Sequence, residues 1–566
     1  MHTKGGPVLR GARIVSVFVL AASGAAWGAP IKLNGPSTHA SAVGRYMQLS
    51  PDGQHVVFTA DTDAGDTAAL FSVSISGGPA TQLWGSTYLD GNYDPKGFTS
   101  RGHGPTITPD SQYVVFTSEP GLGQVSLWRA PIGGGAALDL ADVQTDNVKA
   151  FAYLLTPDGQ SVAYLRVAGT VQFLNAVPSG GGSSPVQLLS DPLENYGVMQ
   201  YALRMSPDIA RIAVTYNETI RTIPVGGGLP VTLTGSVPEN WYVNPPKFTP
   251  DGSRVIFDAN SGSSGGYTYF RTYSVPSSGG ASTVLLQSIG GPGPKTTGLS
   301  SGSYGFIGSS AILYGLPRTS GTAGTYEFQS LPLDGSAPST LGIVTIDQTL
   351  SYGTGATMHG MEGFVIMATG TSNSATDLLH MPFSGPSPTL LANITPGQLT
   401  PSFTAIRATR ISNDDKMCVY SFFDSAGQLE IWSVPIAGGT PVQLSQPAPA
   451  GSYIYTFQLT PDGSYVIYTT STTPRIGGGG GQGLWAVDIH GGQVFPLSDP
   501  LEPGDRILWE GTMAPDGTDV YWVGNDTDGY DLYSSAVPEP GTIAILGCSA
   551  VAILARRRAR WTDHLA

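Results

Sequence analysis

The sequence predicts an all-β protein assembled from about ten copies of one four-stranded unit. Three observations carry that expectation. Glycine and proline are abundant, with 76 and 44 residues, while charged residues make up only 12%. Hydrophobic residues reach 40%, which excludes a disordered low-complexity chain and is ample for a core. Finally, one phrase recurs along the chain: an apolar stretch, then Ser/Thr-Pro-Asp-Gly, then an alternating strand. At 566 residues the chain exceeds what one hydrophobic core supports, so a repeat architecture accounts for the length as well.

Residues 1–28 have the layout of a secretory signal. Lys4, Arg10 and Arg13 form a basic start, 14–22 is apolar, and Ala26-Trp27-Gly28 is a small-x-small cleavage site before Ala29. The apolar stretch is too short to span a bilayer comfortably, so cleavage and export are expected.

The repeating body follows at 29–536. Its turn phrase is clear at Ser50-Pro51-Asp52-Gly53, Thr108-Pro109-Asp110, Thr156-Pro157-Asp158-Gly159, Ser206-Pro207-Asp208 and Thr249-Pro250-Asp251-Gly252. It returns at Thr460-Pro461-Asp462-Gly463 and Ala514-Pro515-Asp516-Gly517, with a degenerate copy at Ser412-Asn413-Asp414-Asp415. Weak candidates at Ile307-Gly308-Ser309 and Met361-Glu362-Gly363 fill the remaining gap. Proline presets φ at the first corner of a turn, aspartate bonds back to the turn amides, and glycine accepts positive φ. The phrase is therefore a hairpin between the first two strands of a unit. The second strand alternates, as in Tyr465-Val466-Ile467-Tyr468, and a third follows, such as Glu430-Ile431-Trp432-Ser433-Val434. A Gly-Gly turn then leads to a fourth strand ending in Gln-Leu, at Gln82-Leu83, Gln187-Leu188 and Gln443-Leu444. Spacings of about 43–58 residues suit the four-stranded antiparallel blades of a β-propeller.

The segment Trp432-Ser433-Val434-Pro435-Ile436-Ala437-Gly438-Gly439-Thr440-Pro441-Val442-Gln443-Leu444 resembles the TolB-type propeller repeat, and the resemblance covers roughly residues 31–535. TolB carries a separate N-terminal α/β domain before its propeller, whereas here the repeats begin almost at the cleavage site. The last repeat lacks its Gln-Leu strand, and Pro30-Ile31-Lys32-Leu33-Asn34 supplies a fragment of that type. The N-terminal segment is thus expected to close a single large ring as the outer strand of the last blade. Two smaller propellers joined near 285–300 are the alternative.

Beyond the body, 537–566 has three parts: Val537-Pro538-Glu539-Pro540, an apolar run at 541–555, and a basic cluster of Arg556, Arg557, Arg558 and Arg560. As a helix the run spans only about 22 Å, short of the roughly 30 Å hydrocarbon core. The ordered combination resembles the PEP-CTERM sorting tail. That resemblance implies an exosortase-type membrane protease as a partner at Pro538, Glu539 and Pro540, and membrane contact through this segment only.

The formal charge is −14, and removing both terminal segments leaves roughly −20, which disfavours nucleic acid and anionic lipid as partners of the body. The only two cysteines, Cys418 and Cys548, exclude a disulfide framework. Gly262-Ser263-Ser264-Gly265-Gly266 and Gly298-Leu299-Ser300-Ser301-Gly302 fit the G-x-S-x-G pattern, but they lie in Gly/Ser-rich loops without the strand-to-helix turn that motif needs. No catalytic residue is assigned, and the eight histidines lack metal-ligand spacing. Calcium is the one cofactor with any support. Asp61, Asp63 and Asp66, and Asp526, Asp528 and Asp531, place carboxylates at alternating positions, although Asp-rich turns are ordinary between second and third strands.

The better functional surface is the set of long connections from one blade's fourth strand to the next blade's first. They carry aromatic and acidic residues: Tyr88, Asp90, Tyr93 and Asp94; Glu194 and Tyr196; Glu239 and Trp241; Glu502 and Trp509. Such loops suit a protein or polysaccharide partner. The expected function is an exported, non-enzymatic binding or scaffold propeller of the periplasm, cell envelope or extracellular space. A polysaccharide-active enzyme and a TolB-like periplasmic component of an envelope complex are the alternatives.

Overall fold

The computed structural model describes residues 30–538, apart from connecting segments of which 34–42, 89–103, 193–202, 291–304, 346–356, 395–405 and 472–482 are the longest. Every regular element among the described residues is a β-strand. Blade 1 sets the plan, with strands Val43–Leu49, His55–Asp61, Thr67–Ser74 and Thr81–Tyr88 paired antiparallel in chain order. The same order recurs at 106–139, 148–192, 204–232, 242–290, 306–345, 357–394, 406–443 and 453–496. The tenth blade takes its first three strands from 506–536 and its fourth from Ile31–Lys32.

Ten hydrophobic clusters hold the blades together, one at each junction between neighbours. The cluster that decides the architecture joins the last blade to the first: Leu33, Leu49, Val56, Phe58 and Val73 pack with Ala514, Tyr521, Val523 and Leu532. Blade 5 packs on blade 6 through Ile256, Ile312, Leu331 and Leu333. The chain therefore forms one closed ring of ten blades, not two rings broken near 285–300. Closure works as the sequence expects. Ile31 pairs with Ser534 and Lys32 with Tyr533, and the Leu33 amide donates to the Leu532 carbonyl at 2.8 Å. Packing also reaches Val537, which joins the cluster between blades 9 and 10 just past the expected boundary at 536.

The two weak repeats are present. Strands Phe306–Ile307 and Ala311–Pro317 flank Gly308-Ser309, and His359 pairs with Gly363 across the second candidate turn. In the fourth strands, Leu83, Leu188 and Leu444 are buried, which explains the recurring leucine.

The turn phrase also behaves as its chemistry dictates. In blade 1 the Ser50 hydroxyl donates to Asp52 at 2.5 Å, Asp52 accepts from the Gln54 amide at 3.0 Å, and the Ser50 hydroxyl oxygen accepts from the His55 amide at 2.9 Å. These bonds hold several carboxyls below their ordinary value. Asp110 is lowered chiefly by Thr108, Asp158 by Thr156, and Asp414, held by Ser412 and then Lys416 against some desolvation, falls to about 2. A lowered folded-state pKa contributes stability that is present above the unfolded value and lost as pH falls through the folded one. The melting temperature is accordingly expected to decline from the ordinary carboxylate range down to about pH 2. A melting series across that range checks this, and an Asp414→Asn variant should show a shallower decline.

Where the turn glycine is missing, the backbone keeps its geometry. Ser111, Ile209 and Asp415 stand at φ of 60°, 61° and 58°, beside 69° for Gly53 and 71° for Gly159. A β-branched residue is strained there. Ile209→Gly is therefore expected to stabilise the protein by about 1 kcal/mol, the left-handed cost relieved less the extra chain entropy of glycine. Chemical denaturation measures it.

Candidate functional site

Each blade has two ends. One carries the Ser/Thr-Pro-Asp-Gly and Gly-Gly turns and is here named the turn face. The other, the loop face, carries the turns between second and third strands and the long connections between blades.

On the loop face, the best-described expected cluster lies where blade 4 meets blade 5. Asn240 turns the chain at φ 64°, a conformation asparagine tolerates, and delivers Trp241 and Tyr242 to the start of blade 5. The first strand of that blade is split into Tyr242–Val243 and Lys247–Phe248, both paired with Arg254–Asn260. Pro245 and Pro246 cause the split, because neither has an amide proton to give to a ladder. The Arg271 guanidinium lies 5.1 Å from the centre of the Trp241 ring, and its Nε donates to Gln287 Oε1 at 3.1 Å. Trp241 is half-buried against the cluster between blades 4 and 5, whereas Tyr242 is 59% and Tyr269 42% exposed.

The exposure has a structural cause. Blade 4 is short: its hairpin closes at Tyr216 and Thr219. Blade 5 continues past the corresponding level, through Asn260 paired with Phe270 to Ser261, whose amide donates to the Tyr269 carbonyl at 3.0 Å. Blade 5 thus reaches further at the loop face than blade 4 does, and Tyr269 is exposed there; Glu218 in the blade 4 hairpin and Glu239 just before Trp241 are exposed as well. A half-buried indole under a guanidinium that is itself bonded to an amide, with an exposed phenol on the same strand, can stack on a flat apolar surface while hydrogen-bonding polar groups at its edge. Residues 201–290 hold six basic and five acidic side chains, so this sector is near neutral on an acidic body.

Arg271, Tyr269 and Gln287 are absent from the expected set. They are about thirty positions or more from Trp241, and the only sequence signal is a charge interrupting the alternation of Tyr269, Arg271 and Tyr273.

Of the other expected residues, Tyr88 ends its strand opposite Thr67, and Trp509 pairs with Val523 between two irregularities of register. Asp90, Tyr93, Asp94, Glu194, Tyr196 and Glu502 lie outside the described residues, as do Asp63, Asp66 and Asp528. Asp61 and Asp526 end second strands at the loop face. Asp531 is placed differently from an exposed loop ligand: it is 1% exposed and ion-paired to Lys32 at 2.6 Å, which commits its carboxylate to the closing strand. Among the described residues no group of three or more His, Cys, Asp or Glu side chains is arranged to hold a metal ion. Pro538 is buried at the end of the body, while Glu539, Pro540, Arg556, Arg557 and Arg558 lie outside the described residues. Among the described residues no helix is long and apolar enough to cross a membrane.

No protein-family model and no curated protein matches the chain. Among solved structures, it is similar to one described as a TolB from Agrobacterium tumefaciens, at 17% identity and a TM-score of 0.25, over 44% of this chain and 82% of that one. It is also similar to a structure from an analysis of two prolyl endopeptidases, at 12% identity and a TM-score of 0.31, over 75% of this chain and 54% of that one. Likenesses at this level assign no activity. The propeller itself rests on the strand ladders and the ten blade junctions.

Proposed function

We propose that the chain is an exported, non-enzymatic propeller of the bacterial periplasm, envelope or extracellular space, whose loop face binds a protein or a polysaccharide. The observation that carries the binding reading is the pairing of Trp241 with Arg271 and the exposure of Tyr269 at the loop face, beside the short blade 4. Export is supported by the leader-like residues 1–28. Processing by an exosortase-type protease is supported by the PEP-CTERM-like order of Pro538-Glu539-Pro540, apolar run and arginines.

Binding of the full chain to envelope polysaccharide fractions and to envelope proteins, measured by affinity pull-down and calorimetry, tests the reading. Tyr269→Ala and Arg271→Gln are expected to weaken the ligand found about tenfold or more each, the scale of a central interface anchor. Unchanged unfolding curves confirm that the variants are folded. Wild-type affinity in both variants would move the site elsewhere on the ring. Turnover of a polysaccharide by the purified chain would replace the reading with the enzymatic one, and co-purification with Tol–Pal components would replace it with the TolB-like one.

A further inference from the structure

The leader and the sorting tail sit at opposite ends of the sequence, yet the fold brings their exits together. The strand Ile31–Lys32 runs antiparallel to Gly529–Ala536, with Ile31 opposite Ser534 and Lys32 opposite Tyr533. The chain before Ile31 and the chain after Ser534 therefore leave the same corner of blade 10. That corner lies on the turn face. Ala536 pairs with Asp519, and the Val537 amide donates to the Thr518 carbonyl at 2.7 Å, beside the turn Pro515-Asp516-Gly517.

The attachment is also short. Val537 is 5% exposed within the last blade junction and Pro538 is buried against the body. The apolar run starts at Gly541, so three residue steps separate a buried residue from the first position of that run, a reach of at most about 10 Å. We propose that, while the C-terminal apolar run lies in a bilayer, the propeller is held with its turn face toward the lipid and its loop face, with the Trp241–Arg271 pair, pointing away. This rests on the sorting-tail reading given above. A blade strand of seven residues is about 23 Å long, so the two faces stand at well-separated heights above the lipid.

The turn face has its own charge pattern. Asp52, Asp110, Asp158, Asp208, Asp251, Asp414, Asp462 and Asp516 all occupy the same place in their blades' turns, so one face carries eight carboxylates. Repulsion from anionic lipid acts over a Debye length of about 8 Å at physiological salt, comparable to the tether. The tail thus holds an acidic face near a surface that it would otherwise leave, and cutting the tail frees the body instead of letting it adhere.

The test uses the full chain in phosphatidylcholine vesicles, with a fluorophore on single introduced cysteines and a nitroxide quencher on the lipid headgroup. Cys548→Ser removes the thiol in the tail, while Cys418 is buried and burial pushes its thiol up to about 12, which keeps it from labelling. Gln54→Cys and Gln160→Cys report the turn face in blades 1 and 3, and Glu218→Cys reports the loop face in blade 4. Quenching is expected to be strongest at Gln54, weaker at Gln160 and weakest at Glu218, and to fall at the first two positions when anionic lipid is added at low salt. Quenching at Glu218 equal to or above that at Gln54 overturns the orientation. Flotation of the vesicles reads the anchoring separately: a chain that does not float overturns the tail reading and the orientation with it, whereas a floating chain with the reverse order overturns the orientation alone.

Discussion

Replacing Leu33 by alanine is expected to destabilise the ring by about 2–5 kcal/mol, the range for emptying a buried leucine site. Leu33 is fully buried in the cluster that joins blade 10 to blade 1, and its amide is bonded to Leu532. The substitution leaves the backbone pairing of the closing strand in place and removes side-chain packing from the seam between blades 10 and 1. Lys32→Met tests the other half of the latch. It removes the Lys32 ammonium from beside the Asp531 carboxylate, which is 1% exposed. Removing one member of a buried pair costs about 3–5 kcal/mol, and because the Lys32 side chain is 32% exposed, about 1–3 kcal/mol is expected after solvent screening. Urea unfolding of both variants, with Ile31→Ala as a control at a 56% exposed neighbour, measures the effect. A Leu33→Ala curve no different from that of Ile31→Ala would show that the N-terminal strand does not carry closure.

Gly159→Ala is expected to cost about 2–4 kcal/mol, combining a left-handed backbone penalty with overpacking. Gly159 sits at φ 71°, and a Cβ there would lie 2.8 Å from Pro109 Cδ of the preceding blade. The turns of neighbouring blades touch on this face, so the glycine serves both the hairpin and the seam. Gly77→Ala separates the two contributions. Its φ of 80° carries the same strain, but an added Cβ would meet nothing within 4 Å. Only the strain, about 1–2 kcal/mol, should appear. Equal losses at both positions in thermal or urea unfolding would show that the inter-blade contact with Pro109 contributes nothing.

Much of the fold is legible residue by residue because its signals are local. Thr-Pro-Asp-Gly makes a turn wherever it occurs, and Ser111, Ile209 and Asp415 keep that geometry even without glycine. The candidate site is less legible. Glu239 and Trp241 stand out in a loop, but Arg271 meets Trp241, and Gln287 meets Arg271, only through the tertiary fold; the sole local mark is the charge of Arg271 within an alternating strand. Asp531 illustrates the reverse: its spacing from Asp526 and Asp528 suggests a loop ligand, while its partner is Lys32, at the other end of the chain.

The sequence by itself determined the blade, the turn chemistry and the place of the closing strand, since each depends on neighbouring residues and the first two are reinforced by repetition. The tertiary structure decided that ten blades make one ring, that the Trp241–Arg271 pair stands beside a short blade 4, and that the chain enters its first strand and leaves its last at one corner of the turn face. The physical reason is that these facts concern which blade packs on which and how far each strand extends past its neighbour. Apolar alternation guarantees that every blade buries two faces, but only the assembled ring specifies what covers them.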